Sequence, residues 1–261
     1  MTPAGGGGSQ TRLTAAQVMQ QAVALCSLGR WTEAEQLCRL AIGPQATQFD
    51  ALSTLGGFAA QTGRPQEAEQ LLRRALAIRP EATAHNNYGN VLRELGRNTE
   101  ALESYGRALD LNADYTEAHY NRGNVLLDLG RLEEALQTYQ RALALKADFA
   151  EAYNSCALVL RRLRRFDAAL ESCQHALRLR PGYAEAHNNR GVTLQALDRP
   201  EEALQSFDRA LALRPEYAEA CNNRAVALRR LKRFDEGLRS CERALASASS
   251  SENPTSNISR C

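Results

Sequence analysis

The residues of this chain that could bind a metal ion or act as nucleophiles are four histidines and seven cysteines. His85, His119 and His187 share one place in a repeat described below, so they lie at least one repeat apart, far beyond the ~2 Å nitrogen-to-metal distance of one site. The cysteines are odd in number and contain no C-x-x-C pair, which predicts neither a disulfide framework nor a zinc site. We therefore expect no metal and no cofactor.

The sequence contains none of the common catalytic motifs. It has no P-loop, G-x-S-x-G, H-E-x-x-H or dinucleotide-binding fingerprint. Cysteine-based catalysis would need a histidine paired with the thiol, and the spacing provides none. We predict that the chain, as given, is not an enzyme.

An asparagine series is the main candidate for binding. Asn87, Asn121, Asn189 and Asn223 recur at one place of the repeat, where Ser155 and Ser53 stand in two other copies. Asparagine costs roughly 0.5 kcal/mol or more against alanine inside a helix, so its recurrence needs a cause. The amides could bind the main chain of an extended ligand, or they could bond between adjacent helices, and both interpretations stay open. The predicted strip also includes Asn86, Asn90, Tyr120, Asn124, Asn154, Asn188 and Asn222.

Two basic clusters lie two repeats apart. They could bind an acidic partner segment through guanidinium contacts, or they could be solvated turns whose cations favour the C-terminal end of a helix. The clusters are Arg161, Arg162, Arg164 and Arg165, and Arg229, Arg230, Lys232 and Arg233.

The elements that must position these residues follow from an internal repeat. Pairs of alanines seven residues apart recur along the chain, beginning with Ala34/Ala41. The first alanines of successive pairs are separated by 34 or 33 residues, a period that indicates stacked helical hairpins. A binding surface is expected rather than a deep pocket.

Each copy is predicted to form two helices. In the third copy, apolar residues follow helical spacing on both sides of Gly96. A small residue recurs in each first helix, as at Gly89, where two helices can pack closely. The turn holds glycine in the first four copies and Arg164, Asp198 and Lys232 in the last three, where we expect strain or a different closure.

This pattern resembles the tetratricopeptide repeat, with small residues at places eight, twenty and twenty-seven. The resemblance implies an all-α, right-handed superhelical solenoid of seven antiparallel helix-turn-helix repeats. Its first helices would line a concave groove for an extended peptide or a partner helix. The predicted copies span residues 15–48, 49–81, 82–115, 116–149, 150–183, 184–217 and 218–251.

The two ends of the chain differ in composition from the repeats. The Gly-rich residues 1–14 and the Ser-rich residues 252–261 are predicted to be disordered. Without a polar capping helix, the last hairpin would expose Leu238, Cys241 and Leu245, which could support self-association.

The net charge is +2 and no apolar run approaches a membrane span, so we expect neither nucleic acid nor membrane as a partner, and a cytoplasmic location.

The first functional hypothesis is a non-catalytic scaffold that binds an extended segment of another protein. The asparagine series is also similar to the repeat region of the O-linked N-acetylglucosamine transferases. This resemblance implies an alternative, a substrate-recruiting region of a larger glycosyltransferase whose catalytic part is missing here. A structural subunit of a cell-envelope or secretion assembly is a third option.

Overall fold

The computed structural model describes residues 15–28, 30–41 and 45–240. Within these ranges the chain is helical and contains no strand, which confirms the all-α prediction. Residues 234–240 are also helical. The other helices are α1 (Ala15–Ser27), α2 (Trp31–Ala41), α3 (Gln45–Gln61), α4 (Pro65–Ile78), α5 (Ala82–Glu94), α6 (Asn98–Leu111), α7 (Thr116–Asp128), α8 (Leu132–Leu145), α9 (Ala150–Arg162), α10 (Phe166–Leu179), α11 (Ala184–Ala196), α12 (Pro200–Leu213) and α13 (Ala218–Arg230).

The helices form hairpins along the chain in two compact units, Met1–Asn121 and Arg122–Cys261. In the first unit α1 packs on α2, α3 on α4 and α5 on α6, and in the second α9 packs on α10 and α11 on α12. In the first unit α2 also contacts α3 and α4 contacts α5, and in the second unit α8 contacts α9, α10 contacts α11 and α12 contacts α13. This arrangement is that of stacked helical hairpins.

The helix ends follow most of the predicted copies. Helices α5, α7, α9, α11 and α13 begin at the first residue of a predicted copy. Helix α3 differs, because it begins at Gln45, before the predicted start of the second copy at residue 49. Residues 241–251 of the seventh copy, including Cys241 and Leu245, and both predicted disordered segments lie outside the described residues.

Each hairpin closes where a small residue meets a large one. A Cβ atom added to Gly191 would lie 2.5 Å from Cε1 of Phe207, and one added to Gly89 would lie 2.6 Å from Cε1 of Tyr105. The copy built on α9 and α10 has Ala157 and Cys173 at the two equivalent places, both buried. Alanine thus stands where the partner is small and glycine where it is large, so each pair fills the space between its helices.

The turns of the last three copies adopt the same left-handed backbone as the glycine turns. The φ angle is 74° at Gly96, and it is 60° at Arg164, 56° at Asp198 and 58° at Lys232. The closing hydrogen bonds are also alike: Arg97 N donates to the carbonyl of Leu92, and Arg165 N to that of Leu160, each at 2.8 Å. Of the two expectations, strain rather than a different closure applies, because residues with a Cβ atom disfavour positive φ.

Replacing Arg164 with glycine is expected to stabilise the protein. A left-handed conformation costs a non-glycine residue roughly 1–2 kcal/mol, which exceeds the roughly 0.5–1 kcal/mol of extra chain entropy that glycine loses on folding. We expect the free energy of unfolding, measured by urea titration, to rise by about 0.5–1 kcal/mol. The reverse change, Gly96→Arg, should lower it by a similar amount, and a stabilising Gly96→Arg variant would contradict this explanation.

Candidate functional site

The asparagines at the sixth place of the repeat bond to asparagines of the preceding copy. In the first unit, Asn121 Nδ2 donates to Asn86 Oδ1 at 3.0 Å. In the second unit, Asn189 Nδ2 donates to Asn154 Oδ1 at 2.9 Å. Asn223 Nδ2 likewise donates to Asn188 Oδ1 at 3.0 Å. These bonds support the structural interpretation of the series, and they leave the Oδ1 atom of each donor available to a ligand.

The asparagines at the fifth place are less accessible than the predicted strip implies. Asn86 is 4% exposed and Asn188 is 1% exposed, so both side chains lie between helices. Asn188 accepts from Asn223 Nδ2 at 3.0 Å and donates to Glu219 Oε1 at 3.1 Å. Asn154 and Tyr120 are half-buried, and Asn222, in the last copy, is exposed.

The structure corrects the sequence register in the second copy. Gly56 packs on Leu72 as Gly89 packs on Tyr105, so Gly56 takes the eighth place. Ser53 therefore stands at the fifth place and not at the sixth, to which the sequence analysis assigned it.

Asn87 is the sixth-place residue of the next copy, so it faces a fifth place that holds serine. Its side chain makes no hydrogen bond to another described residue. Asn87 is half-buried, and both its donor and its acceptor atoms remain for a ligand.

The asparagines at the ninth place satisfy buried tyrosines. Tyr105 OH donates to Asn90 Oδ1 and Tyr139 OH donates to Asn124 Oδ1, each at 2.7 Å. Both tyrosines are fully buried, so their hydroxyl groups need an acceptor. Because the amide oxygen of each asparagine accepts a hydrogen bond from the buried tyrosine, its NH₂ group is available to donate to a ligand.

Within each unit, we call the surface formed by the sixth and ninth places of its first helices the first-helix groove. In the first unit it is lined by Gly57, Ala60, Gln61, Asn87 and Asn90, which surround a cavity of about 300 Å³ above Leu72. In the fifth, sixth and seventh copies the ninth place is aliphatic, at Leu158, Val192 and Val226. The sequence analysis missed this change from amide to aliphatic side chains, although it can be read from the aligned copies.

The basic cluster that follows α9 is partly engaged within the chain. Arg165 forms two hydrogen bonds to Glu133, at 2.8 and 3.2 Å, and Arg162 donates to the carbonyl of Leu127 at 3.3 Å. Arg161 is half-buried with its Nε atom unpaired, and burial lowers its pKa. Arg164 is exposed.

The basic cluster that follows α13 is also partly paired with acidic residues of the chain. Arg230 bonds to Asp198 at 3.2 Å and Arg233 to Glu236 at 2.7 Å. Arg229 and Lys232 are exposed. In each cluster only part of the positive charge is therefore free to meet an acidic partner, and this contact remains a prediction.

Two of the histidines and two of the cysteines that the structure describes have the properties of packed residues. Burial lowers the pKa of His85 and of His187, which favours the neutral form of each imidazole. Burial raises the pKa of the Cys156 and Cys173 thiols to about 12, which keeps them protonated and poorly nucleophilic. Within the described ranges no three metal-binding side chains cluster.

A cluster that the sequence analysis missed joins the two ends of a copy. The Arg180 guanidinium lies 4.9 Å from the centre of the Tyr183 ring and forms an ion pair with Glu151. Burial raises the pKa of Glu151, but the hydrogen bond from Arg180, a backbone hydrogen bond and the charges of Arg180 and Lys146 together outweigh burial, so the net pKa is lowered. The cation at place 31 and the aromatic at place 34 recur in the next copy as Arg214 and Tyr217, which could have been recognised.

Comparison with known proteins identifies the repeat. Models of the tetratricopeptide repeat match residues 50–81, 148–216 and 188–252, and a model described as a TPR repeat matches residues 89–130 and 123–163. No curated protein sequence matches significantly. Among the helices that the structure describes, none has both the length and the apolar character needed to cross a membrane.

Several solved structures share the fold. A tetratricopeptide repeat protein from Parabacteroides merdae is 18% identical, with a TM-score of 0.70 over 90% of this chain and 93% of that one. PilF of Pseudomonas aeruginosa is 20% identical, with a TM-score of 0.70 over 79% and 95%. YrrB, described as a TPR protein with an unusual peptide-binding site, is 24% identical, with a TM-score of 0.56 over 67% and 91%.

Proposed function

Because this chain belongs to the tetratricopeptide repeat family, and because its first helices carry a row of oriented amides, we propose that it is a scaffold that binds an extended peptide segment in the first-helix groove. The observation that carries the proposal is the orientation of these amides. Asn121 and Asn189 present oxygen atoms, and Asn90 and Asn124 present NH₂ groups. Asn87 can present both.

An extended peptide offers what such a row can bind. Its main chain carries one N–H donor and one C=O acceptor per residue, and those groups are not paired within a strand. Many such contacts along a preformed surface add affinity without a large ordering cost in the protein. The peptide-binding site described for YrrB supports this role by analogy. The proposed role is binding without catalysis, and recruitment for a sugar-transferring enzyme would use the same groove.

The test uses peptides selected from a random 12-residue library on the wild-type protein, with affinities measured by fluorescence anisotropy. The groove variant is Asn87→Ala/Gln61→Ala, which removes two amides that make no hydrogen bond to other described residues. We expect it to weaken binding of every selected peptide by about thirtyfold, since two lost hydrogen bonds of about 1 kcal/mol each amount to about 2 kcal/mol.

The matched control is Asn98→Ala/Gln140→Ala, which removes the same two amide types from the second helices α6 and α8. Its affinities should stay within about twofold of wild type. Equal losses in both variants, or a wild-type protein that enriches no peptide, would reject the proposed groove.

A further inference from the structure

In the first unit, the first-helix groove contains a cavity that opens between the second and third copies. Its lining combines apolar groups of Gly57, Ala60 and Leu72 with the amides of Gln61, Asn87 and Asn90. Leu72 is buried beneath it, whereas Gly57 and Ala60 are half-buried and Gln61 is exposed. The cavity therefore has an apolar base and an amide rim.

The cavity exists because the ninth place of the second copy has no side chain. In the other copies this place holds Val23, Asn90, Asn124, Leu158, Val192 and Val226. In the third copy Asn90 covers Tyr105 and accepts a hydrogen bond from its hydroxyl group. In the second copy Gly57 stands over Leu72, which has no hydroxyl group to satisfy, and a Cβ atom at Gly57 would have no neighbour within 4 Å.

The size and chemistry of the cavity select its occupant. A volume of about 300 Å³ is at the lower end of the range for ligand pockets, which suits one side chain and not a larger molecule. None of its lining residues is ionisable, so a charged side chain would lose hydration without a counter-charge. An aliphatic side chain loses nothing by entering and gains by burial.

The amides at the rim fix how that side chain would enter. Asn87 and Asn90 lie on successive turns of α5, and Gln61 lies at the end of α3 across the groove. A peptide main chain bonded to these amides would pass over the cavity, and alternate side chains of an extended peptide point to one side.

We propose that this cavity, the Gly57 pocket, is a specificity pocket for one aliphatic side chain, such as leucine, isoleucine or valine, of the peptide bound in the first-helix groove. The inference rests on the proposed function and adds sequence selectivity to a groove that otherwise binds main chain. Gly57 determines the selectivity because any side chain at its place would fill the pocket.

The test compares Gly57→Leu with Gly106→Leu. Both glycines lie inside helices and have no atom within 4 Å of an added Cβ, but Gly106 is on the second helix α6. The probes are the 12-residue peptides selected on the wild-type protein, each paired with a version that has serine at its shared aliphatic position.

The expected result has three parts. The selected peptides share one aliphatic position, and serine there weakens wild-type binding tenfold or more, the loss expected for one buried aliphatic side chain. Gly57→Leu weakens binding of the parent peptides tenfold or more and binds the parent and serine versions equally. Gly106→Leu behaves as wild type.

Other outcomes separate the pocket from the groove. If Gly57→Leu binds the parent peptides as wild type does while Asn87→Ala/Gln61→Ala loses affinity, the groove stands and the pocket is rejected. If no peptide is enriched, both are rejected. Circular dichroism checks folding, and if the leucine variant is unfolded, Gly57→Ala replaces it with an expected loss of about threefold.

Discussion

Replacing Gly191 with leucine is expected to lower the free energy of unfolding by about 3 kcal/mol, the upper part of the range for overpacked cores. An added Cβ atom alone would lie 2.5 Å from Cε1 of Phe207, whose side chain is fully buried. Urea titration followed by circular dichroism measures the loss. Gly106→Leu is the control, and it should be neutral or stabilise by up to about 1 kcal/mol through helix propensity.

The neighbouring copy indicates how the clash can be relieved. Ala157 and Cys173 occupy the places of Gly191 and Phe207 without steric conflict. Gly191→Ala should therefore cost less in a Phe207→Cys background than in the wild type, with a coupling free energy of about 1 kcal/mol or more. Equal costs in the two backgrounds would contradict the size complementarity between these places.

Replacing Asn188 with alanine is expected to cost about 1–3 kcal/mol, because it removes two hydrogen bonds from a buried position. Asn188 is 1% exposed and links Asn223 and Glu219 of the next copy. Since the coupling between repeats depends on such contacts, the urea transition should also broaden as the last copy unfolds separately.

Asn87→Ala is the matched comparison for Asn188→Ala. Asn87 makes no hydrogen bond to another described residue, and alanine is the better helix former, so we expect stability to stay equal or to rise by about 0.5 kcal/mol. A loss at Asn87 as large as that at Asn188 would show that both asparagines are structural.

The sequence predicted the hairpins because their signals are local. Gly96 marks a turn by its own backbone preference, and Ala101 and Ala108 mark a packed helix face by their spacing. Arg164 lies at the turn position that holds Gly96 in the third copy. The packing of the two helices imposes the same positive φ there, although a residue with a Cβ atom disfavours it.

The roles of the asparagines were harder to predict because they depend on neighbours across copies. The bond from Asn121 to Asn86 spans 35 residues, and neither residue alone indicates which face it occupies. The pairing of Asn90 with Tyr105 was accessible, because asparagine stands at the ninth place only where tyrosine stands fifteen residues later, as at Asn124 and Tyr139. Ser53 was assigned to the sixth place instead of the fifth because the second copy is one residue shorter than the others, which shifts the alignment by one position.

The most direct test of the first-helix groove is a nuclear magnetic resonance titration of protein labelled with ¹⁵N at asparagine, using the selected 12-residue peptides. The side-chain NH₂ signals of Asn87, Asn90 and Asn124 should shift on binding, while those of Asn98 and Asn112, at the ends of the second helix α6, should not. Saturable peptide binding that moves only the signals of Asn98 or Asn112 would contradict the proposed groove.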